Sequence, residues 1–88
     1  MKNPPLLAIV VPCYCEEAVV EETARRLTAV VDGLVASGDA DSRSFLLFVN
    51  DGSTDRTWTL IETLHRRNRR VDGLNLAANV GHQAALLA

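Results

Sequence analysis

Two short, unbroken apolar runs constrain the fold of this 88-residue chain more than any other feature. Leu6-Leu7-Ala8-Ile9-Val10-Val11 stops at Pro12, and Phe45-Leu46-Leu47-Phe48-Val49 stops at the turn residues Asn50-Asp51-Gly52-Ser53. Short continuous runs of this kind suit strands covered on both faces, as in a parallel sheet. Neither approaches the ~20 residues of a membrane span. Between them the period changes. Val20, Ala24, Leu27, Val31, Leu34 and Val35 recur at helical spacing, with Glu21, Glu22, Arg25, Arg26 and Asp32 mostly on the other side. Glu16, Glu17, Glu21 and Glu22 crowd the helix start, where the macrodipole favours carboxylates, and Gly38 is the expected stop.

After the second run, Ser53, Thr54 and Asp55 offer N-caps for a second helix with Trp58, Ile61 and Leu64 on its inner face. Arg66, Arg67, Arg69 and Arg70 gather near its C-terminal end, where they complement the dipole and face water. Residues 71–76 read as a third strand. Leu74 and Leu76 alternate with polar neighbours, which marks an edge. A loop follows from Ala77 to Gly81, and a third helix starts at His82.

The order is βαβαβα. Strand–helix–strand units give parallel strands, so the expectation is an α/β, three-layer fold with a mostly parallel sheet in the order 3-2-1. Three strands make half of a doubly wound domain, and the chain reads as the N-terminal piece of a longer protein. The first strand lacks a neighbour on one side, which makes its edge a candidate for pairing between two copies.

A chain of this size buries only roughly 60–65% of its extended surface, so its core is thin. The net charge of −2 argues against a nucleic-acid partner, which selects a basic face. Cys13 and Cys15 are one residue apart. In an extended segment their Cβ atoms cannot come within the about 4.5 Å that a disulfide needs. With His65 and His82 distant in sequence they form no metal-ligand pattern, and two reduced thiols in a cytoplasmic protein is the expectation. Lys2 could open a signal peptide, but the run ends at Pro12 without a small-residue cleavage site.

Ligands of an open parallel sheet bind beyond the carboxyl ends of its strands. That rule selects Pro12-Cys13-Tyr14-Cys15-Glu16, the segment Asn50 to Asp55, and Ala78-Asn79-Val80-Gly81-His82-Gln83, each followed by a helix N-terminus. It rejects Asp39-Ala40-Asp41, a tempting metal motif at the opposite edge. Asp51 is the strongest candidate: a carboxylate just past a buried strand can accept hydrogen bonds from a base N–H or a ribose hydroxyl. Gly52 lets a ligand approach the backbone. Pro12 and Tyr14 could present backbone groups and a ring face to a planar base, or merely end the strand and pack. Glu16 reaches the cleft or stabilises the first helix. Asn79, Gly81 and His82 could line the cleft from the third loop. Asp55 reads as a cap, and Trp58 as core.

Together the segments Val-Pro-Cys-Tyr-Cys-Glu-Glu, Val-Asn-Asp-Gly-Ser-Thr-Asp-Arg-Thr and Asn-Val-Gly-His-Gln-Ala-Ala-Leu resemble the start of a family-2, GT-A-fold glycosyltransferase. The likeness is strongest to the polyprenyl-phosphate (bactoprenol or dolichyl phosphate) glycosyltransferases and covers roughly residues 6 to 88. It implies a truncated nucleotide-diphospho-sugar transferase fold, with residues 1–88 the nucleotide-sugar-binding half. It further implies transfer of a hexose from a UDP- or GDP-sugar to a lipid phosphate with inversion, at the cytoplasmic face of a membrane in cell-envelope biogenesis. Pro12, Tyr14 and Glu16 would border the donor nucleotide, Asp51 and Gly52 would hold its base or ribose, and the Asn79, Gly81 and His82 loop would close the donor side.

Three positions depart from the family pattern. Cys15 stands where Asn is usual, Asn50 occupies half of a common acidic pair, and Ala78 replaces a frequent basic residue. The family's downstream Asp-x-Asp, which holds Mg²⁺ or Mn²⁺ in the full-length enzyme, does not fall within the resemblance. The 88 residues are therefore expected to hold no catalytic residue and no metal ligand, and at best to bind nucleotide weakly. The alternative is a non-catalytic α/β module that self-associates through its exposed strand edge. A dinucleotide-binding dehydrogenase would need Gly-x-Gly-x-x-Gly where Pro12 to Glu16 stands, and a phosphate-loop NTPase a Gly-Lys-Ser/Thr turn. A receiver-type phospho-acceptor module finds only a faint likeness in Glu16, Glu17 and Asp51.

Overall fold

A computed structural model describes residues 3–76. The elements follow the expected alternation: β1 (Ala8–Cys13), α1 (Val20–Ala36), β2 (Phe45–Asp51), α2 (Thr57–Arg67) and β3 (Val71–Leu76). The three strands form one parallel sheet in the order β1-β2-β3. This is the α/β arrangement of a truncated GT-A fold, with β3 at one edge as its alternating sequence implies. The third helix and the loop before it lie outside the described residues.

The register sets the two faces. Ile9 pairs with Leu46, Val11 with Phe48 and Cys13 with Asn50; Leu46 pairs with Val71, Phe48 with Gly73 and Asn50 with Asn75. Side chains alternate across a strand, so these residues share one face. That face packs on both helices: Leu46, Phe48, Val71 and Cys13 join Val20, Ala24 and Val31 of α1 and Ile61 of α2 in one buried cluster. Burying Phe48 alone stabilises by roughly 1.5–3 kcal/mol.

Two successive crossovers of one hand, moving in one direction across a sheet, put both helices on the same side. The described residues therefore form two layers. The other face carries Ala8, Val10 and Pro12, all exposed, and half-buried Phe45, Leu47, Val49, Leu74 and Leu76. The expectation that β1 is covered on both faces is corrected to this extent: among the described residues only one face has a helix layer, and Val10 is 58% exposed.

α1 begins three residues after Glu17, so of the four acidic residues only Glu21 and Glu22 lie in its first turn. Its end matches expectation. Gly38 adopts φ +83°, its N–H reaches the Val35 carbonyl at 3.1 Å, and the Asp39 N–H reaches Leu34 at 2.8 Å. This paired closure satisfies two of the last helical carbonyls and favours glycine. α2 packs on β3 through a glycine. A Cβ on Gly73 would lie 2.8 Å from Ile61 Cγ2 and 3.0 Å from two Trp58 ring carbons. Trp58 is thus a packing residue.

The ends of the strands nearest the chain start are held by Arg70, whose side chain is 18% exposed. Its Nε donates to Asp32 on α1 at 2.6 Å, and its Nη1 donates to the Ser42 and Ser44 carbonyls at 3.1 and 2.7 Å. Arg70 is therefore a clip between α1, β3 and the α1–β2 loop rather than part of a solvated basic face.

Candidate functional site

Parallel strands bring the ends of β1 and β2 side by side, and Cys13 is level with Asn50. The loops that leave these ends are joined by four hydrogen bonds from backbone N–H groups to side chains about 40 positions away. The Cys15 N–H donates to Ser53 Oγ at 2.8 Å and the Glu16 N–H to Thr57 Oγ1 at 2.8 Å. The Glu17 N–H donates to Asp55 at 3.3 Å, and Glu17 Oε1 accepts the Arg56 N–H at 2.9 Å. Two of the three segments selected from sequence thus form one rim. The third falls outside the described residues, and with it Asn79, Gly81 and His82.

Each described candidate has a definite place on this rim. Pro12 ends the exposed side of β1, and Tyr14 is 60% exposed on the loop beyond it. Glu16 is half-buried, and its carbonyl accepts the N–H groups of Val19 and Val20 at 2.9 Å. Its backbone opens the turn into α1. Asp51 is the exposed last residue of β2, and no hydrogen-bond partner for its carboxylate is found among the described residues. Gly52 has φ +74°, a conformation that favours glycine, and turns the chain away beneath it.

The acidic residues divide the capping differently from expectation. Asp55 accepts the Thr57 N–H at 2.9 Å and the Thr57 hydroxyl at 2.5 Å, which holds its carboxyl below the usual carboxylate range. Glu17 serves α2 rather than α1 by accepting the Arg56 N–H. Ser53 caps neither helix. Glu22, between Arg25 and Arg26, has its carboxyl pulled down to about 2 by their hydrogen bonds.

Cys15 adopts φ +51°. Asn enters this left-handed region more readily than other non-glycine residues, which gives a physical reason for the usual family residue at this turn. The Cys15 thiol lies 3.5 Å from Thr54 Oγ1 and titrates below its ordinary range, chiefly through hydrogen bonding to the Thr54 backbone and then its side chain. Cys13 is buried, and burial pushes its thiol up. Both cysteines are free.

Asn50 and Asn75 were not singled out as site residues from sequence. Asn50 is only 3% exposed; its Oδ1 accepts the Ser53 hydroxyl, and its Nδ2 donates to Asn75 Oδ1 at 2.9 Å. The signal was the period of two: Asn50 continues the inward positions Leu46 and Phe48, and Asn75 continues Val71 and Gly73.

The metal motif at the opposite edge is occupied with other work. Asp39 accepts the Ser37 hydroxyl at 2.7 Å, and Asp41 takes both a backbone and a guanidinium bond from Arg43, which lowers its pKa. Among the described residues no three His, Cys, Asp or Glu side chains gather as metal ligands. The described residues do not fit a divalent-cation site.

Two clefts lie away from the rim. One of about 260 Å³ lies on the α2–β3 flank by Trp58, His65 and Asp72, and one of about 580 Å³ lies by Ser42, Arg43, Arg69 and Arg70. Neither includes a candidate residue.

The profile of the family described as "Glycosyl transferase family 2" matches residues 8–88. The chain belongs to glycosyl transferase family 2. It is 54% identical over 87 residues to the "Uncharacterized glycosyltransferase YkoT" of Bacillus subtilis (strain 168), covering 99% of this chain and 26% of that protein. It is 40% identical over 81 residues to the "Uncharacterized glycosyltransferase YkcC" of the same organism, covering 92% and 23%. A third relative, "Uncharacterized glycosyltransferase sll0501" of Synechocystis sp., is 34% identical over 82 residues, covering 93% and 24%. This family-2 chain spans about a quarter of the length of the curated relatives it matches. Among its described residues, no helix is long and apolar enough to cross a membrane.

Proposed function

We propose that this family-2 chain is the donor-nucleotide-binding part of an inverting glycosyltransferase. The whole protein would pass a hexose from a UDP- or GDP-sugar to a polyprenyl phosphate at the cytoplasmic face of a membrane. A phosphate oxygen of the lipid attacks the anomeric carbon, that carbon's bond to the donor diphosphate breaks, and the nucleoside diphosphate leaves. In the 88 residues the work is binding. Tyr14 offers a ring face to the base, Asp51 accepts from a base N–H or ribose hydroxyl, and Gly52 admits the ligand to the backbone. Pro12 and Glu16 border the same space, and Asn79, Gly81 and His82 close it from the third loop. Mg²⁺ or Mn²⁺ belongs to the full-length enzyme, held by residues beyond this chain.

The observation that supports this reading is the exposed Asp51 carboxylate, unpartnered among the described residues, on a rim whose neighbouring polar groups are bonded to one another. Calorimetry with UDP and GDP, with and without Mn²⁺, tests it. Weak binding that Asp51→Asn reduces is the expected result. Sugar transfer catalysed by the 88 residues alone would contradict the division of labour between binding and catalysis.

A second reading rests on Val10, 58% exposed on β1, whose outer edge has no neighbouring strand among the described residues. Two copies joined there would form a non-catalytic dimer. Its mass in solution would be twice the 9.6 kDa of the single chain.

A further inference from the structure

The first residue of α2 joins the two rim loops through a single buried oxygen. Thr57 is fully buried. Its Oγ1 accepts the Glu16 N–H at 2.8 Å and donates to Asp55 Oδ1 at 2.5 Å. Both directions are fixed by chemistry: a backbone N–H can only donate, and an ionised carboxylate can only accept. Asp55 Oδ1 also accepts the Thr57 N–H at 2.9 Å, so the carboxylate grips both polar groups of that residue. Turning the hydroxyl away would leave the part-buried Glu16 N–H without its partner, which is costly.

Glu16 is the residue this bond fixes. Its N–H is tied to α2, and its carbonyl accepts the Val19 and Val20 N–H groups that open α1. The backbone of Glu16 is therefore anchored to both helices. A second link runs between the same loops in both directions. The Glu17 N–H donates to Asp55 Oδ2 at 3.3 Å, and the Arg56 N–H donates to Glu17 Oε1 at 2.9 Å. Each loop lends a carboxylate to the other's backbone, the reciprocal logic of a capping box made between residues 38 and 39 positions apart. Glu17 is exposed, so water competes for its bonds, whereas the Thr57 hydroxyl is shut away from solvent.

We propose that Thr57 is the chief positioning residue of the nucleotide site, with Glu17 as a weaker second. This rests on the nucleotide-binding reading above and deepens it. The groups offered to the nucleotide stand on two separate loops: Tyr14 and Glu16 on one, Asp51 and Gly52 on the other. A ligand that touches both loops gains most when the gap between them is already set, because binding then does not have to order them. Thr57 sets that gap from beneath the rim without touching the nucleotide. Glu17 reinforces it at the surface.

The test titrates UDP and GDP into the isotope-labelled chain, unaltered and as Thr57→Val, Thr57→Ser and Glu17→Ala, with a melting curve for each. Valine keeps the branched shape of threonine and removes the hydroxyl. At a temperature where the variants are folded, Thr57→Val should bind about tenfold more weakly, the size of one lost hydrogen bond. Its amide signals at residues 14–16 should also move before any nucleotide is added. Thr57→Ser keeps the hydroxyl and should restore both readouts. Glu17→Ala should weaken binding about threefold, as befits an exposed tie. If Thr57→Val fails to fold, Glu17→Ala carries the test. A folded Thr57→Val that melts earlier yet binds as tightly as the unaltered chain overturns the inference and leaves the nucleotide site standing. So does a loss of affinity that Thr57→Ser does not restore, or, where Thr57→Val does not fold, an unchanged affinity in Glu17→Ala. No nucleotide binding by the unaltered chain overturns both.

Discussion

The two ends of the sheet are held together by different chemistry. At the end where the strands begin, charged groups neutralise one another: Arg70 bonds Asp32 and two carbonyls, and Arg43 pairs with Asp41 at 3.0 Å. At the end where the strands stop, the ties are mostly neutral. Hydroxyls and amides of Ser53, Thr57, Asn50 and Asn75 join backbone N–H groups and one another. The first arrangement consumes its charges in holding the fold. The second holds the fold while leaving Asp51 and Tyr14 exposed. A binding rim needs rigid support and unspent polar groups together, and among the described residues the end where the strands stop joins a braced backbone to an unpartnered carboxylate.

Removing Arg70 should separate the two ends most clearly. Arg70→Ala deletes three charge-assisted bonds around a largely covered guanidinium and should cost about 2–4 kcal/mol, visible as an earlier denaturant midpoint. Nucleotide affinity per folded molecule should not change. Asp51→Asn should do the reverse. Affinity for UDP or GDP should fall about tenfold or more while the melting temperature stays put, because no described residue bonds to that carboxylate.

Acid and salt sharpen the contrast at smaller amplitude. The carboxyls of Asp55 at the rim and Asp41 at the other end are both held below their ordinary value of 3.8. A depressed folded value means that their stabilisation is fully present above that pH and is lost as the pH falls through the lower folded values. Melting in acid should therefore weaken both ends, and Asp55→Asn and Asp41→Asn should each flatten part of the dependence. Sodium chloride should tell them apart. It screens the exposed Asp41–Arg43 pair but not the neutral Thr57 hydroxyl on Asp55. The smallest expected effect is Cys15→Asn. It relieves a left-handed backbone at a non-glycine residue and should raise the melting temperature by a few degrees without altering affinity.

How much of this was legible from sequence depended on range. The strands announced themselves as apolar runs, and α1 ended at Gly38 for the local reason that φ is positive there. β1 also fixed the position of the rim, because Pro12 stops the run where the parallel-sheet rule puts ligands. What was hidden lay in partners far apart in the chain. Glu17 looked like a dipole residue of α1 because it precedes that helix by three positions, yet it caps α2 some forty residues on. Arg70 looked solvated among other arginines until Asp32 and the Ser44 carbonyl came within reach. Asn50 looked like half of a missing acidic pair, whereas its burial and its bond to Asn75 make it an internal strut. The placement of Asp51 was legible; that its carboxylate has no hydrogen-bond partner among the described residues was not, since that depends on where Ser53 and Asp55 spend their own hydrogen bonds.

The most direct measurement is a two-dimensional amide spectrum of the isotope-labelled chain, recorded while UDP or GDP is added. The account predicts that the signals of residues 13–16 and 50–55 move together along one saturation curve, while those of residues 41–44 and 69–70 stay still. Movement confined to that opposite end, or no movement at any nucleotide concentration, would contradict it.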